Sequence, residues 1–271
     1  EVAALRGARA PADALAEPVA IVGMACRMPG VAGDDGDGGG LDGFWSLLSQ
    51  GRDAVVEVPP ERWDIDALYD PDPDRPGRMS TRRGGFITGF FNIAPREAAL
   101  MDPQQRLLLE LSWHALEHAA IAPDSLQGTP AGVFVGICAS DYGRMAAADA
   151  DNLNAYWGTG NVPSVAAGRI AYSFGLTGPC MSIDTACSSA LVAVHCAADS
   201  LRRGECDAAL AASANLVLAP EPTIAFSKAH MMSPDGRCQT FDARANGYVR
   251  SEGAAVLVLK TLSRARADGD R

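Results

Sequence analysis

The sequence predicts an α/β layered fold, and three observations carry that reading. Short apolar or β-branched runs alternate along the chain with longer segments of helical period. Clusters of Gly, Pro, Asp and Ser separate them, where turns and caps are needed. The 271 residues are 48% hydrophobic, enough for a sizeable core.

The elements follow in order. Residues 1–16 are Ala-rich with scattered charges and read as a linker, leaving 17–271 as the folded unit. "VAIVGMA" (Val19 to Ala25) is a short buried strand. "VAGDDGDGGGLDG" is a Gly/Asp loop; it is acidic and lacks a P-loop lysine, so it is no phosphate cradle. "FWSLLSQG" is a short helix closed by Gly51. "VPPERWDIDALYDPDPDRPGRMSTRRGG" holds no period and predicts a long surface excursion. "DPQQRLLLELSWHALEHAAI" is an amphipathic helix with Asp102 as N-cap, Pro103 at the first position and an apolar stripe through Leu108, Leu109, Ser112, Leu116 and Ala119. "AGVFVGIC" is a buried strand, "PSVAAGRIAYSFG" a helix closed by Gly175, "CMSIDTA" a strand, and "SSALVAVHCAADSLRRG" a helix capped near Gly204. "CDAALAASANLVL" alternates small and apolar residues, as a tightly packed central strand does, and "GAAVLVLKTLSRARADG" is a strand running into a short helix.

Composition removes several function classes. A net charge of -10 repels phosphate backbones, so nucleic acid is not an expected partner. Arg75, Arg78, Arg82 and Arg83 form one local basic cluster, either a solvated loop or a docking patch for an acidic partner. No apolar run approaches the roughly 20 residues of a membrane span. The opening "EVAALRGARAPADALAEP" has no apolar signal region, so the expected location is the cytoplasm, with no membrane partner. The seven cysteines are odd in number, widely spaced and without a CxxC pair; they fit a reducing compartment, and most read as small buried hydrophobes.

One cysteine stands apart. In "SIDTACSSALVAVHCA", Cys187 falls where a strand ends and a helix begins. A helix N-terminus lowers a thiol pKa, and its backbone N–H groups can hold an oxyanion. Ser188, Ser189 and Ala190 keep that first turn uncrowded. The alternative is a core cysteine at a tight turn, and position alone leaves both open. His195 lies eight residues along the same helix, about 12 Å away and out of reach as a base. His230, in the loop-like "FSKAHMMSPDGR", is not placed by the sequence. A competing signal is "HALEH": His114 and His118 share a helix face one turn apart, with Glu117 as a candidate base, as in an inverted zinc hydrolase. The five-residue pattern is cheap, and no third ligand can be assigned.

"DTACSSALVAVH" resembles the active-site segment of β-ketoacyl synthases, in particular ketosynthase domains of type I polyketide synthases. "EPVAIVGMACRMPG", "FWSLLSQGRDAVVEVPPERWD", "MDPQQRLLLELSWHALEHAAI", "GVFVGICASDYG", "SVAAGRIAYSFGLTGP" and "SPDGRCQTFDARANGYVRSEGAAVLVLK" resemble successive blocks of that family in order. The resemblance implies the N-terminal half of a thiolase-like layered fold (α-β-α-β-α), usually a homodimer. It implies that Cys187 accepts an acyl chain from the phosphopantetheine of an acyl carrier protein. Decarboxylative Claisen condensation with a malonyl-type extender follows, in polyketide (antibiotic) biosynthesis. It also implies that this domain binds no metal or other cofactor itself, and that the Cys187 N–H is one oxyanion donor.

Two departures from the family qualify this. Family members continue after a segment like "LKTLSRARADGD" into a C-terminal half that carries two catalytic histidines, a lysine and the second oxyanion donor. None of His114, His118, His195 or His230 lies in a family histidine motif. The expected partner is therefore a C-terminal half, in the same or a second chain, and condensation is not expected from this chain alone. The connection from Ile87 to Phe91 is also shorter than in the family. Alternative readings are a truncated, non-condensing module that binds carrier proteins or other parts of a synthase, and the zinc hydrolase through His114 and His118.

Overall fold

A computed structural model describes residues 16–31, 40–87, 100–138, 140–148 and 153–270. The expected linker up to residue 15, most of the Gly/Asp loop and the short connection after Ile87 lie outside these residues. The centre is a five-stranded mixed sheet. Its strands are β1 (Val19–Arg27), β4 (Ala131–Gly136), β5 (Cys180–Ile183), β6 (Ala208–Asn215) and β7 (Gly253–Thr261), in the order β1-β7-β6-β4-β5. The β5/β4 and β4/β6 pairs are parallel, and β6/β7 and β7/β1 antiparallel.

The Ala-rich run expected to be a central strand is β6, the middle of the five. Side chains alternate with the period of two that a strand imposes. Val133 and Val135 of β4, Leu210 and Ala212 of β6, and Val256 and Val258 of β7 enter one core. Phe134, Ala209, Ala211 and Leu259 enter the other. The first core is closed by α3 (Pro103–His118) and α6 (Pro163–Phe174), the second by α7 (Ser189–Arg202). The result is helix, sheet, helix.

Helix α3 is long because its N-terminus is well capped: Asp102 accepts from the Gln104 N–H at 2.8 Å, and Pro103 follows. Its buried stripe includes Leu108, Ser112, Leu116 and Ala119 as expected and is widened by Leu107, Leu111 and Ala115, while Leu109 is only half-buried. Each fully buried leucine contributes about 1.5–3 kcal/mol. Helix α6 ends at Gly175, at φ 65°, as the sequence predicts. On α7, Ala193 and Ala197 meet the small residues of β6, so the helix lies close to the sheet. On its opposite face Leu191 is 77% exposed.

The excursion after α1 (Gly40–Ser49) is structured. It holds a two-stranded pair, β2 (Val56–Glu57) with β3 (Arg83–Gly84), and a single turn, α2 (Ile65–Leu68), capped by Asp64. Glu252 pins its end: this buried carboxylate accepts from Ile87 N at 2.7 Å, Val217 N at 2.9 Å and the Arg62 guanidinium at 2.9 Å. Burial raises the Glu252 pKa, and Arg62 opposes the shift. Three helices lie where the sequence predicts none: α4 (Asp141–Ala147), α5 (Ala155–Asn161) and α8 (Glu221–Lys228). All are too short to show a period. Asn154 caps α5, and prolines open α8, which takes Phe226 to Lys228 out of the expected loop. The chain ends with α9 (Leu262–Asp268).

The cysteines correct the sequence reading. Cys26 and Cys206 are buried and Cys196 is half-buried, but Cys138, Cys180, Cys187 and Cys238 are exposed. Cys180 lies on the edge strand β5, and the other three lie in turns beyond strands or in the 231–250 segment.

Candidate active site

Parallel strands β4 and β5 end side by side, with Gly136 level with Ile183. Chain segments leaving such ends commonly bear the functional groups of α/β folds. Strand β5 stops short of the expected Ala186 because Asp184 turns the chain: its carboxylate accepts the Ala186 N–H at 3.0 Å. Ala186 then adopts φ 56°, a left-handed conformation that costs an alanine about 1–2 kcal/mol. Cys187 follows, exposed, and α7 begins two residues later.

Ser189 holds this turn. Its hydroxyl is buried, donates to Ala186 O at 2.7 Å, accepts the Thr185 N–H at 2.8 Å and lies 3.1 Å from Cys138 Sγ. The one hydroxyl proton and one acceptor position are thereby used within the turn, with the Cys138 sulfur in contact beside them. Ser188 adds a second tie, donating to Thr185 O at 3.0 Å. Behind the turn, β4 approaches the helix at Gly136. A Cβ there would lie 2.7 Å from Ser189 C and 2.8 Å from Ala190 N, so only glycine fits. Ser213 donates to the Gly136 carbonyl at 2.8 Å and fixes that peptide.

The charges nearby are few. Asp184 is held below the usual carboxylate range, chiefly by the Ala186 N–H and then by the Cys138 thiol. Burial pushes the Cys138 thiol up; the Ser189 contact opposes this, and the Asp184 carboxylate adds to it. Burial also raises the Tyr248 phenol, and the charge of Arg250 opposes the shift.

Cys187 is the one site residue that the sequence predicts. Ser189 is expected there only to keep the turn uncrowded; its role as a clamp, and the parts played by Cys138, Asp184 and Gly136, emerge from the structure. The alternation of glycine and buried valine in "GVFVG" is the signal that could have exposed Gly136. Among the described residues no hydrogen bond joins a histidine to Cys187. His195 is exposed along α7, and His230 is 3.4 Å from Asp74. His118 accepts the Met24 N–H at 3.4 Å on the opposite side of the sheet. The zinc reading through His114 and His118 is not supported: Glu117 accepts from the Trp113 indole at 2.8 Å, and no third ligand joins them among the described residues. The basic cluster also resolves. Arg82 pairs with Glu57 and Asp66, Arg75 with Asp70, and Arg78 and Arg83 donate to backbone carbonyls, so these side chains brace the excursion.

Comparison with known proteins identifies the family. The family description "Beta-ketoacyl synthase, N-terminal domain" matches residues 16–265. One phenolphthiocerol/phthiocerol polyketide synthase protein of Mycobacterium tuberculosis is 53% identical over 265 residues, covering 95% of this chain and 17% of that protein. Another protein of the same synthase and organism is 50% identical over 272 residues, covering 98% of this chain and 14% of that protein. Among solved structures, the ketosynthase from module 6 of the bacillaene synthase of Bacillus subtilis 168 superposes with a TM-score of 0.81 at 39% identity, over 93% of this chain and 41% of its own. The oxazolomycin ketosynthase domain from Streptomyces albus JA3453 gives 0.84 at 36% identity, over 94% and 44%. The chain thus spans less than half the length of these proteins, and its layers are those of the thiolase-like ketosynthases. It belongs to the β-ketoacyl synthase family, among the ketosynthases of polyketide synthases, and matches their N-terminal domain.

Proposed function

We propose that this chain supplies the acyl-accepting thiol of a polyketide ketosynthase, and that the thiol is Cys187. What supports this most is the setting of Cys187: an exposed sulfur on a turn whose peptide groups are fixed by Asp184, Ser189 and Ser188, at the start of a 14-residue helix. The thiolate attacks the thioester carbonyl of an acyl chain carried on a carrier-protein phosphopantetheine. A new C–S bond forms to Cys187, and the carrier thiol leaves with a proton. The Cys187 N–H, at the start of that helix, donates to the oxyanion.

Condensation then needs decarboxylation of a malonyl-type extender, for which a base and a second oxyanion donor come from a C-terminal half. The placement of His195 along α7 and of His230 beside Asp74 fits that division. Leu191 of α7, at 77% exposure, fits a surface that such a half covers. The edge strand β5 fits a homodimer, and seven free cysteines fit the cytoplasm. Among the described residues no helix is long and apolar enough to cross a membrane. In this reading the domain holds no cofactor of its own.

Intact-mass spectrometry after incubation with an acyl thioester, with and without a separately expressed C-terminal half, tests the proposal. Acylation that requires the second half and vanishes in Cys187→Ala is the expected result. No adduct under either condition, together with retained carrier-protein binding, overturns it in favour of a non-condensing interaction module.

A further inference from the structure

We propose that Cys138 is a resolving cysteine for Cys187, so that oxidation closes the two into a reversible disulfide. The geometry points to this pair. Cys138 lies two residues beyond Gly136 and Cys187 four beyond Ile183, at the adjoining ends of neighbouring strands. Cys138 Sγ is 3.5 Å from the carbonyl oxygen of Ala186, the residue bonded to Cys187, and 3.1 Å from Ser189 Oγ on the far side of the same turn. That contact, with ordinary peptide dimensions, puts the Cys138 sulfur within about 6 Å of the Cys187 Cα. A disulfide holds its two sulfurs about 2 Å apart, so the turn has to close by about 1–2 Å once the Cys187 side chain points at Cys138. Both thiols are exposed, so rotation of the Cys187 side chain and a small settling of the turn bring the sulfurs together. Among the described hydrogen bonds, no other cysteine touches this turn.

The chemistry balances with a peroxide as oxidant. The Cys187 thiolate attacks one peroxide oxygen; an S–O bond forms, the O–O bond breaks, and Cys187 becomes a sulfenic acid as hydroxide leaves. Cys138 sulfur then attacks the Cys187 sulfur. The S–S bond forms, the S–O bond breaks, and the departing hydroxide leaves with the Cys138 proton as water. Two thiols are oxidised by two electrons, and one peroxide is reduced to water. Without a neighbouring thiol, sulfenic acid proceeds to sulfinic acid, which thiols do not reverse. The bond shields a nucleophile that its own exposure leaves open to damage. Its effect on acyl transfer rests on the function proposed above; formation of the bond does not.

The test treats this chain with hydrogen peroxide, then digests it without reduction. The expected result is a linked peptide pair holding Cys138 and Cys187, with labelling of Cys187 by iodoacetamide down about tenfold or more and restored by dithiothreitol. In Cys138→Ser the linked pair is absent, Cys187 appears as sulfinic acid, and dithiothreitol does not restore labelling. Cys187 found as sulfinic acid in the parent protein, with Cys138 unmodified, overturns the proposal. So does crosslinking of Cys187 that persists in Cys138→Ser. Both readouts precede any acyl-transfer assay, so failure of acyl loading leaves them intact.

Discussion

The Ser189 hydroxyl donates to the Ala186 carbonyl at 2.7 Å, across the residue that precedes it by three, while Ala186 sits at φ 56°. The strained residue and its clamp flank Cys187. Replacing Ser189 by Ala leaves the Thr185 N–H and Ala186 carbonyl without that partner and costs about 1–3 kcal/mol. Acyl transfer to Cys187, measured with the completing half, falls by about ten- to a hundredfold, because small misplacement of a nucleophile is expensive. Ala186→Gly removes the left-handed penalty and recovers part of the lost stability in the Ser189→Ala background. An unchanged transfer rate in Ser189→Ala removes the clamp from the mechanism.

Gly136 acts on the same turn from behind. A methyl group there meets the Ser189–Ala190 peptide at 2.7–2.8 Å, and that backbone cannot rotate aside as a side chain would. Gly136→Ala therefore moves the start of α7 or β4. Overpacking of this kind costs about 1–3 kcal/mol. The loss should be readable in a urea melt, with slower alkylation of Cys187 than in the parent. Gly51→Ala serves as a contrast, since nothing lies within 4 Å of its added methyl and only its φ of 61° is penalised. It lowers stability but leaves the alkylation rate of Cys187 untouched. Equal alkylation in both variants would sink the argument.

The same contrast shows what the sequence makes legible. Strands β4, β6 and β7 are visible as short runs of apolar and small residues bounded by turn signals, and helices α3, α6 and α7 because their buried residues repeat with a period over enough length to read. Helices α4, α5 and α8 have seven or eight residues and no such repeat. Cys187 is legible from its place between a strand and a helix. Cys138 and Ser189 act through tertiary contacts: Cys138 is 51 residues from Ser189 in the chain, and no spacing rule links them. The four-arginine cluster shows the reverse, since a run of like charges hides five local partners drawn from other turns of the same excursion.

Asp102 supplies a prediction in pH. Asp102 caps α3 through a carboxyl oxygen, yet the residue is 3% exposed, and burial raises its pKa to about 6. The Gln104 hydrogen bonds and the charge of Arg106 oppose the shift, and the charge of Asp141 adds to it. An unfolded aspartate titrates near 3.9. Between about pH 4 and pH 6 the folded chain therefore binds the extra proton, and stability falls as pH rises through this window. The loss from this one group approaches about 3 kcal/mol by neutral pH, as an upper figure. Asn at this position still accepts the Gln104 N–H as an N-cap but does not ionise. The stability of Asp102→Asn relative to the parent should accordingly shift in the variant's favour by up to about 3 kcal/mol between pH 4 and pH 7. Taking this difference at each pH cancels the other carboxylates, including Glu252. A difference that stays constant across the window, in urea melts at each pH, would show that Asp102 is ionised in the folded chain throughout.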